Sequence, residues 1–258
     1  MIIDTHAHIS DLKFDTDREI VLQRASDVGV GTIFEIACEI RYWDIALKLS
    51  QRDNVFVSFG VHPIDVVRVG DEDYGKLEIL IQNKKCIAVG EFGLDYHYDS
   101  SMQNINIQKK ALVRQFDIAV KYNKPIIIHC RDAYDDMIDF LKQYKNIPKG
   151  VIHCFSGNSK QAKIFVEMGF LLGIDGPITY KKSEKLKQVV LDIDISNLLV
   201  ETDCPYLTPR KYGKQRNEPS YVVEIVEEIA SIKNMSTEET AKITTQNALT
   251  LFNVEYAS

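Results

Sequence analysis

Six short apolar runs in this chain stop at residue types that bind metal ions. The first, Ile2-Ile3-Asp4-Thr5, leads into His6-Ala7-His8. Later runs end in Gly60-Val61-His62, Gly90-Glu91, Ile128-His129, Ile152-His153 and Glu201-Thr202-Asp203. Residues i and i+2 of a strand face the same side. His6 and His8 therefore point both imidazoles one way, which is half of a divalent transition-metal site. One His-x-His alone reads equally well as a histidine-rich strand with no ligand. Repetition shifts the balance. A chain that keeps ending strands in ligand residues gathers them at one end of a parallel sheet or barrel.

Strand-like and helix-like segments alternate throughout. After the first strand, which ends at His6, strands are expected over 32–37, 55–61, 86–90, 125–130, 151–154, 171–174 and 198–202. Helices are expected over 15–28, 42–51, 72–82, 103–122, 132–144, 160–168, 185–191 and 221–232, with Asp132 as an N-cap. Eight strand–helix units with short connections, joined by right-handed crossovers, make a closed (β/α)8 TIM barrel the most economical α/β fold. The length of 258 residues suits one such barrel. One domain over 1–258 is expected, with no linker or internal repeat. A further C-terminal helix begins at the capping box Ser236-Thr237-Glu238-Glu239 and should pack across the outside or bottom of the barrel. An open doubly wound sheet would need a glycine-rich turn where His6-Ala7-His8 stands.

The hydrophobic share of 45% and the charged share of 26% are those of a globular domain with a full core. No apolar run approaches the roughly 18 residues of a membrane-spanning helix, and Asp4 and His6 interrupt any N-terminal leader. The chain reads as cytoplasmic. Five cysteines without paired spacing fit reduced thiols. Three of them, Cys130, Cys154 and Cys204, follow His129, His153 and Asp203 directly and should point away from the site as packing residues.

A net charge of −6 argues against a general nucleic-acid binder. Local charge differs from the sum. Lys181, Lys182, Lys185 and Lys187 cluster after one late strand, and Arg210, Lys211, Lys214 and Arg216 after another. Either run could be a solvated loop, but loops after late barrel strands are a common phosphate site.

The C-terminal strand ends of a barrel converge on one face. There His6, His8, His62, Glu91, His129, His153 and Asp203 would surround one mouth. Carboxylates must balance the charge that imidazoles cannot. Glu91, midway round the barrel, is the natural bridge between two ions, which in two-metal hydrolases lie roughly 3.5–4 Å apart. Asp203, next to the first strand on closure, can touch one ion and accept a proton from the attacking water. Glu91 and Asp203 are thus the catalytic candidates.

Thr5-His6-Ala7-His8, Gly60-Val61-His62-Pro63, Gly90-Glu91-Phe92-Gly93-Leu94-Asp95, the run from Pro125 to Arg131, His153-Cys154-Phe155-Ser156-Gly157 and the run from Glu201 to Leu207 resemble, in that order, motifs of the TatD family of metal-dependent deoxyribonucleases. Arg216-Asn217-Glu218-Pro219 and Asn247-Ala248-Leu249 also match. The resemblance covers essentially the whole chain. It implies an amidohydrolase-like metal barrel that cleaves DNA phosphodiesters from the 3′ end. It carries over His6, His8, Glu91, His129, His153 and Asp203 as ligands of two divalent ions, with Glu91 bridging. One departure is that Gly213-Lys214-Gln215 stands where relatives usually read Arg-Gly-Lys, which alters the phosphate contact and not the metal chemistry.

His62, Arg131, Arg216 and Asn217 are the substrate-binding candidates. His62 could bond a phosphate or serve as a nearby acid, or could simply brace its loop. Arg131 shares a face with His129 and could neutralise a phosphate, or could pair with Asp132 or Asp135. Asp95 could orient a ligand histidine or cap its loop, and His97 could meet substrate or solvent. Trp43 and most aromatic residues read as core, with Phe92 and Tyr96 as the candidates for base stacking. The same ligands could hydrolyse another ester, amide or lactone. A metal-binding barrel without catalysis is the reading from a different class. Zinc, magnesium and manganese all fit the donor set, and DNA at the mouth of a monomer is the expected partner.

Overall fold

The computed structural model describes residues 1–254. Its strands are β1 (Ile2–Ala7), β2 (Val30–Ala37), β3 (Val55–Phe59), β4 (Cys86–Asp95), β5 (Ile126–Arg131), β6 (Gly150–Ile152), β7 (Phe170–Ile174) and β8 (Leu198–Val200). They pair in parallel and in chain order. Between and after them run α1 (Arg18–Asp27), α2 (Trp43–Leu49), α3 (Asp71–Leu80), α4 (Met102–Lys121), α5 (Tyr134–Leu141), α6 (Ser159–Glu167), α7 (Glu184–Asp192), α8 (Val222–Lys233) and α9 (Thr237–Phe252). This is the expected (β/α)8 barrel with its extra C-terminal helix. No helix among the described residues is long and apolar enough to cross a membrane.

The ring closes between β8 and β1 by an unusual seam. β8 ends at Val200, and a bridge between Ala7 and Cys204 continues the contact. Polar side chains do the rest. Thr202 donates through N and Oγ1 to Asp4 Oδ1 and Oδ2 at 2.9 and 2.6 Å, and Thr5 Oγ1 donates to the Val200 carbonyl at 3.0 Å. Burial pushes the Asp4 carboxyl up to about 7. The seam matters for function because Asp203 N donates to the His6 carbonyl at 2.9 Å, which sets two proposed ligands side by side.

Along the later strands the inner face changes character. Ile127, Val151 and Leu199 belong to one apolar cluster with Ile3, Phe34 and Ile36. Two residues further on, the same faces carry His129, His153 and Glu201. The start end is sealed by α9, whose Ala248, Leu251 and Phe252 join that cluster, the Phe252 ring standing edge-on to Phe34 at 5.2 Å. Ser236 Oγ starts α9 by accepting from Glu239 N at 3.1 Å. The Glu239 side chain makes no return bond among the described residues.

Several boundaries differ from expectation by a few residues, and two of the differences bear on the site. β4 does not stop at Gly90 but runs to Asp95, paired with β5 as far as Asp95 beside Arg131. Glu91 therefore sits inside a strand, at a register shift between Gly90 and Phe92 that takes it out of the ladder. The glycines that read as a stop instead let β5 approach. A Cβ on Gly93, whose φ is +156°, would lie 1.9 Å from the His129 carbonyl. The second difference is at α5, which begins at Tyr134 with Ala133 as N-cap. Asp132 adopts φ +54° and bonds His97 at 2.9 Å.

Gly93→Ala is expected to lower stability in urea by more than about 2 kcal/mol, because β4 and β5 must part. Gly75→Ala, within α3 where a Cβ meets nothing within 4 Å, is expected to raise it by about 1 kcal/mol.

Candidate metal centre

Seven strand-end side chains meet at the C-terminal end of the barrel, around a cavity of about 640 Å³. Glu91 is their hub. Its Oε2 lies 3.2 Å from His6 Nε2 and 3.9 Å from His8 Nε2. Its Oε1 lies 2.6 Å from His129 Nδ1, 3.6 Å from His62 Nε2 and 3.7 Å from His153 Nε2. The two oxygens thus serve two separate groups of imidazoles. Asp203 Oδ1 sits 3.2 Å from His8 Nε2, 3.8 Å from His153 Nε2 and 3.9 Å from His6 Nε2.

Outer hydrogen bonds set the tautomers. His8 Nδ1 donates to the Ile36 carbonyl at 2.7 Å. His129 Nε2 faces Asp95 Oδ2 at 3.1 Å, and His153 Nδ1 faces Glu201 Oε1 at 2.8 Å. With those protons turned outward, the inner nitrogens are lone pairs aimed at Glu91 and Asp203. A nitrogen lone pair and a carboxylate oxygen 2.6 Å apart repel unless a cation or proton lies between them. The donor set therefore fits a metal ion, and its atoms fall into clusters of ligand size: His6, His8 and Asp203; and His62, Glu91 and His129. The rings of His6 and His153 stack at 3.5 Å, and Nδ1 of His6 has no hydrogen-bond partner among the described residues.

The titration behaviour has the same sense. Burial works against an ionised Glu91, yet His153, His129 and His6 hold it well below the usual carboxylate range. Burial likewise opposes an ionised Asp203, but the His8 hydrogen bond and the charge of His153 bring it below normal. Burial opposes a charged His153 too, and Glu201 and Glu91 nonetheless raise it to about 10. The two carboxylates and His153 thus favour positive charge between them, while burial and a neighbouring imidazole lower His6 and bring His62 down to about 3.

Supporting residues come partly from places the sequence did not reveal. Asp95 takes the orienting role considered for it. Glu201 does the same for His153 and also accepts from Cys154 N at 2.7 Å. The signal was present, since Glu201 is two residues before Asp203 on one face. Gln108 and Gln115, seven residues apart on α4 and both buried, clamp two loops. Gln108 exchanges bonds of 2.8 Å with the backbone of Asp95. Gln115 accepts from Val61 N at 2.7 Å and donates to its carbonyl at 3.1 Å, which places His62. Both glutamines lie on the apolar stripe with Leu112, Phe116 and Ala119, where a polar residue is itself a clue.

Other expectations are corrected. Cys130 and Cys204 are buried in the hydrophobic core as expected, although Cys130 also borders the cavity; Cys154 lines it instead of facing away, as does Cys38, which comes within ligand range of His8 and Glu91. Burial pushes the Cys38 thiol up to about 12. Phe92 is fully buried, and Tyr96 packs against the hydrophobic core away from the cavity lining, so neither presents a ring to the mouth. Arg131 does line the cavity, and its Nη1 donates to Tyr98 Oη at 3.3 Å instead of pairing with Asp132 or Asp135. Arg216 and Asn217 are not in the cavity. Arg216 makes a bidentate pair with Asp17 at 2.7 and 2.8 Å. Asn217 is buried and donates to the carbonyls of Thr202 and Tyr206 at 2.7 and 2.6 Å, bracing the loop that carries Asp203. Lys187 and Lys211 are paired with Glu228 and Glu224 at 2.6 and 2.5 Å.

Glu201→Gln is expected to weaken metal affinity by about 10–100-fold, read by competition with a chromophoric chelator, with the circular dichroism spectrum unchanged. Asn217→Ala is expected to cost on the order of 3 kcal/mol in a urea titration, since it leaves two buried carbonyls without their donor. A change in KM with full stability would instead return Asn217 to the substrate.

Residues 3–253 match the family described as TatD related DNase. An uncharacterized metal-dependent hydrolase of Bacillus subtilis, YabD, is 40% identical over 256 residues, covering 98% of this chain and all of its own. The crystal structure of the Escherichia coli TatD homologue YjjV superposes with a TM-score of 0.92 at 31% identity, covering 98% of each chain. A TatD family hydrolase from Entamoeba histolytica gives 0.85 at 25%, covering 97% of each. With residues 3–253 matched and its barrel shared, the chain belongs to the TatD related DNase family of metal-dependent hydrolases.

Proposed function

We propose that the cavity hydrolyses DNA phosphodiester bonds, trimming strands from the 3′ end, with His6, His8, Glu91, His129, His153 and Asp203 holding two divalent ions of zinc, magnesium or manganese. The observation that carries this reading is the division of Glu91, one oxygen toward His6 and His8 and the other toward His129, His153 and His62. A single carboxylate so divided is placed to bridge. The family description supplies the substrate class.

Bound divalent ions would polarise the phosphodiester and lower the pKa of water in such a site. The chain's own residues do the rest. Asp203 lines the cavity and accepts the proton of the attacking water as its oxygen bonds to phosphorus. The bond from phosphorus to the departing sugar oxygen breaks, and that oxygen takes up a proton. His62 is set to help. Ile64 N donates to its Nδ1 at 3.3 Å, so the proton sits on Nε2, which lies 3.3 Å from His129 Nδ1 and 3.6 Å from Glu91 Oε1 and would be available to a phosphate oxygen once ions hold those two atoms. Arg131 supplies the cavity's guanidinium for a second phosphate oxygen. Asp95 and Glu201 keep the imidazoles aimed throughout.

Asp11, Glu39 and Asp65 also line the cavity, and these acids favour a second reading, hydrolysis of an uncharged ester or amide. A side-by-side assay of single-stranded DNA and carboxyl esters with Mg²⁺, Mn²⁺ or Zn²⁺ separates the two. DNA cleavage abolished by EDTA is expected. Asp203→Asn should lower turnover by about 10²-fold or more with the fold retained. Wild-type rates in that variant would remove Asp203 from the reaction, and cleavage of esters alone would remove DNA as the substrate.

A further inference from the structure

The rim of the cavity is poorly suited to attract a polyanion by charge. Asp11, Glu39 and Asp65 line it. Lys187, Lys211 and Arg216, from the two basic segments, are held in ion pairs elsewhere. Arg41, near the rim, is paired with Glu39 at 2.6 Å. Affinity for a nucleic acid needs another source.

Two tyrosines supply one. Tyr98 and Tyr206 line the cavity and are 71% and 44% exposed, a large aromatic surface left in water. Each has a cation on its ring. The Arg131 guanidinium lies 5.2 Å from the Tyr98 centroid, and the Lys13 ammonium 4.1 Å from that of Tyr206. Neither cation is paired with a carboxylate among the described residues. Tyr206 is also held in place, with its Oη donating to Asp11 Oδ2 at 3.2 Å and its ring edge-on to His8 at 6.2 Å. Tyr98 follows β4 and Tyr206 follows β8. In a ring of eight strands in chain order these are opposite sides, and the cluster around Glu91 lies between them.

We infer that Tyr98 and Tyr206 are paired stacking platforms for unpaired nucleobases on either side of the scissile phosphodiester, each with a cation for the adjoining phosphate. The inference rests on the reading of the site as a DNA phosphodiesterase and adds to it the residues that hold the bases. Aromatic stacking tolerates any base, so the platforms confer affinity without sequence preference. Lys13, exposed and long, can leave the Tyr206 face for a phosphate when a base covers the ring. Arg131 can stay on one face of Tyr98 while the base takes the other.

The test compares the metal-loaded enzyme on an oligothymidylate and on a tetrahydrofuran-phosphate oligomer of equal length, which keeps the phosphates and lacks the bases. The wild type is expected to favour the oligothymidylate in kcat/KM, mainly through KM. That ratio should drop about tenfold in Tyr98→Ala and again in Tyr206→Ala, and Tyr98→Phe should restore it. A wild-type ratio near one, or a ratio that survives the double alanine variant, overturns the platforms while cleavage of the oligomers leaves the phosphodiesterase reading standing. Failure to cleave either oligomer overturns both.

Discussion

A buried carboxylate among imidazoles governs this molecule. Glu91 is nearly inaccessible to solvent, and water can do little to stabilise its charge. What compensates is the ring of nitrogen donors from His6, His8, His62, His129 and His153, which come from four other strand ends. No single element could provide that. The barrel is needed because a parallel ring is the arrangement in which distant strand ends reach one point. The register shift beside Gly90 is needed as well, since it frees Glu91 from the ladder so that its oxygens face the centre.

Precision comes from what stands behind the donors. Asp95, Glu201 and the Ile36 carbonyl each hold the outer nitrogen of one imidazole. Behind Asp95 stands Gln108, and Gln115 holds the loop of His62, so one face of α4 controls both sides of β4. The seam of Asp4 and Thr202 plays the same part for β1 and β8. A change at any of these positions would alter the aim of an imidazole without touching it, which is why metal affinity, and not only turnover, reports on them.

The barrel was legible in the sequence because strand and helix periods alternate without interruption. The gathering of the candidate ligand residues was legible because i and i+2 share a face. What stayed hidden depended on partners far along the chain. The basic run ending at Arg216 read as a phosphate contact, but its partner Asp17 lies 199 positions away. Asn217 matched a family motif, and only the folded loop reveals that its amide is spent on two carbonyls. Gly90 read as a strand end, although the missing side chains of Gly90 and Gly93 are what allow β5 to pass. Tyr98 and Tyr206 carry no local pattern that separates them from Phe92 and Tyr96. Their difference is exposure, a property of the whole molecule.

Charge accounts for an apparent contradiction, an acidic mouth on a member of a DNase family. Glu91, Asp203, Asp95 and Glu201 set four carboxylates in or directly behind the cluster, and the cavity lining there offers Arg131 as its one cationic side chain apart from the imidazoles. Two divalent ions, as proposed, would balance those four charges and leave the centre close to neutral. The surrounding acids would then repel phosphates at the rim but not at the reaction point, where the ions act at short range and screening is weak. Such a field disfavours sliding along a duplex and favours brief capture of one phosphodiester. In the proposed reading the cations at the mouth are few, and stacking on exposed rings is the contact that an acidic rim weakens least.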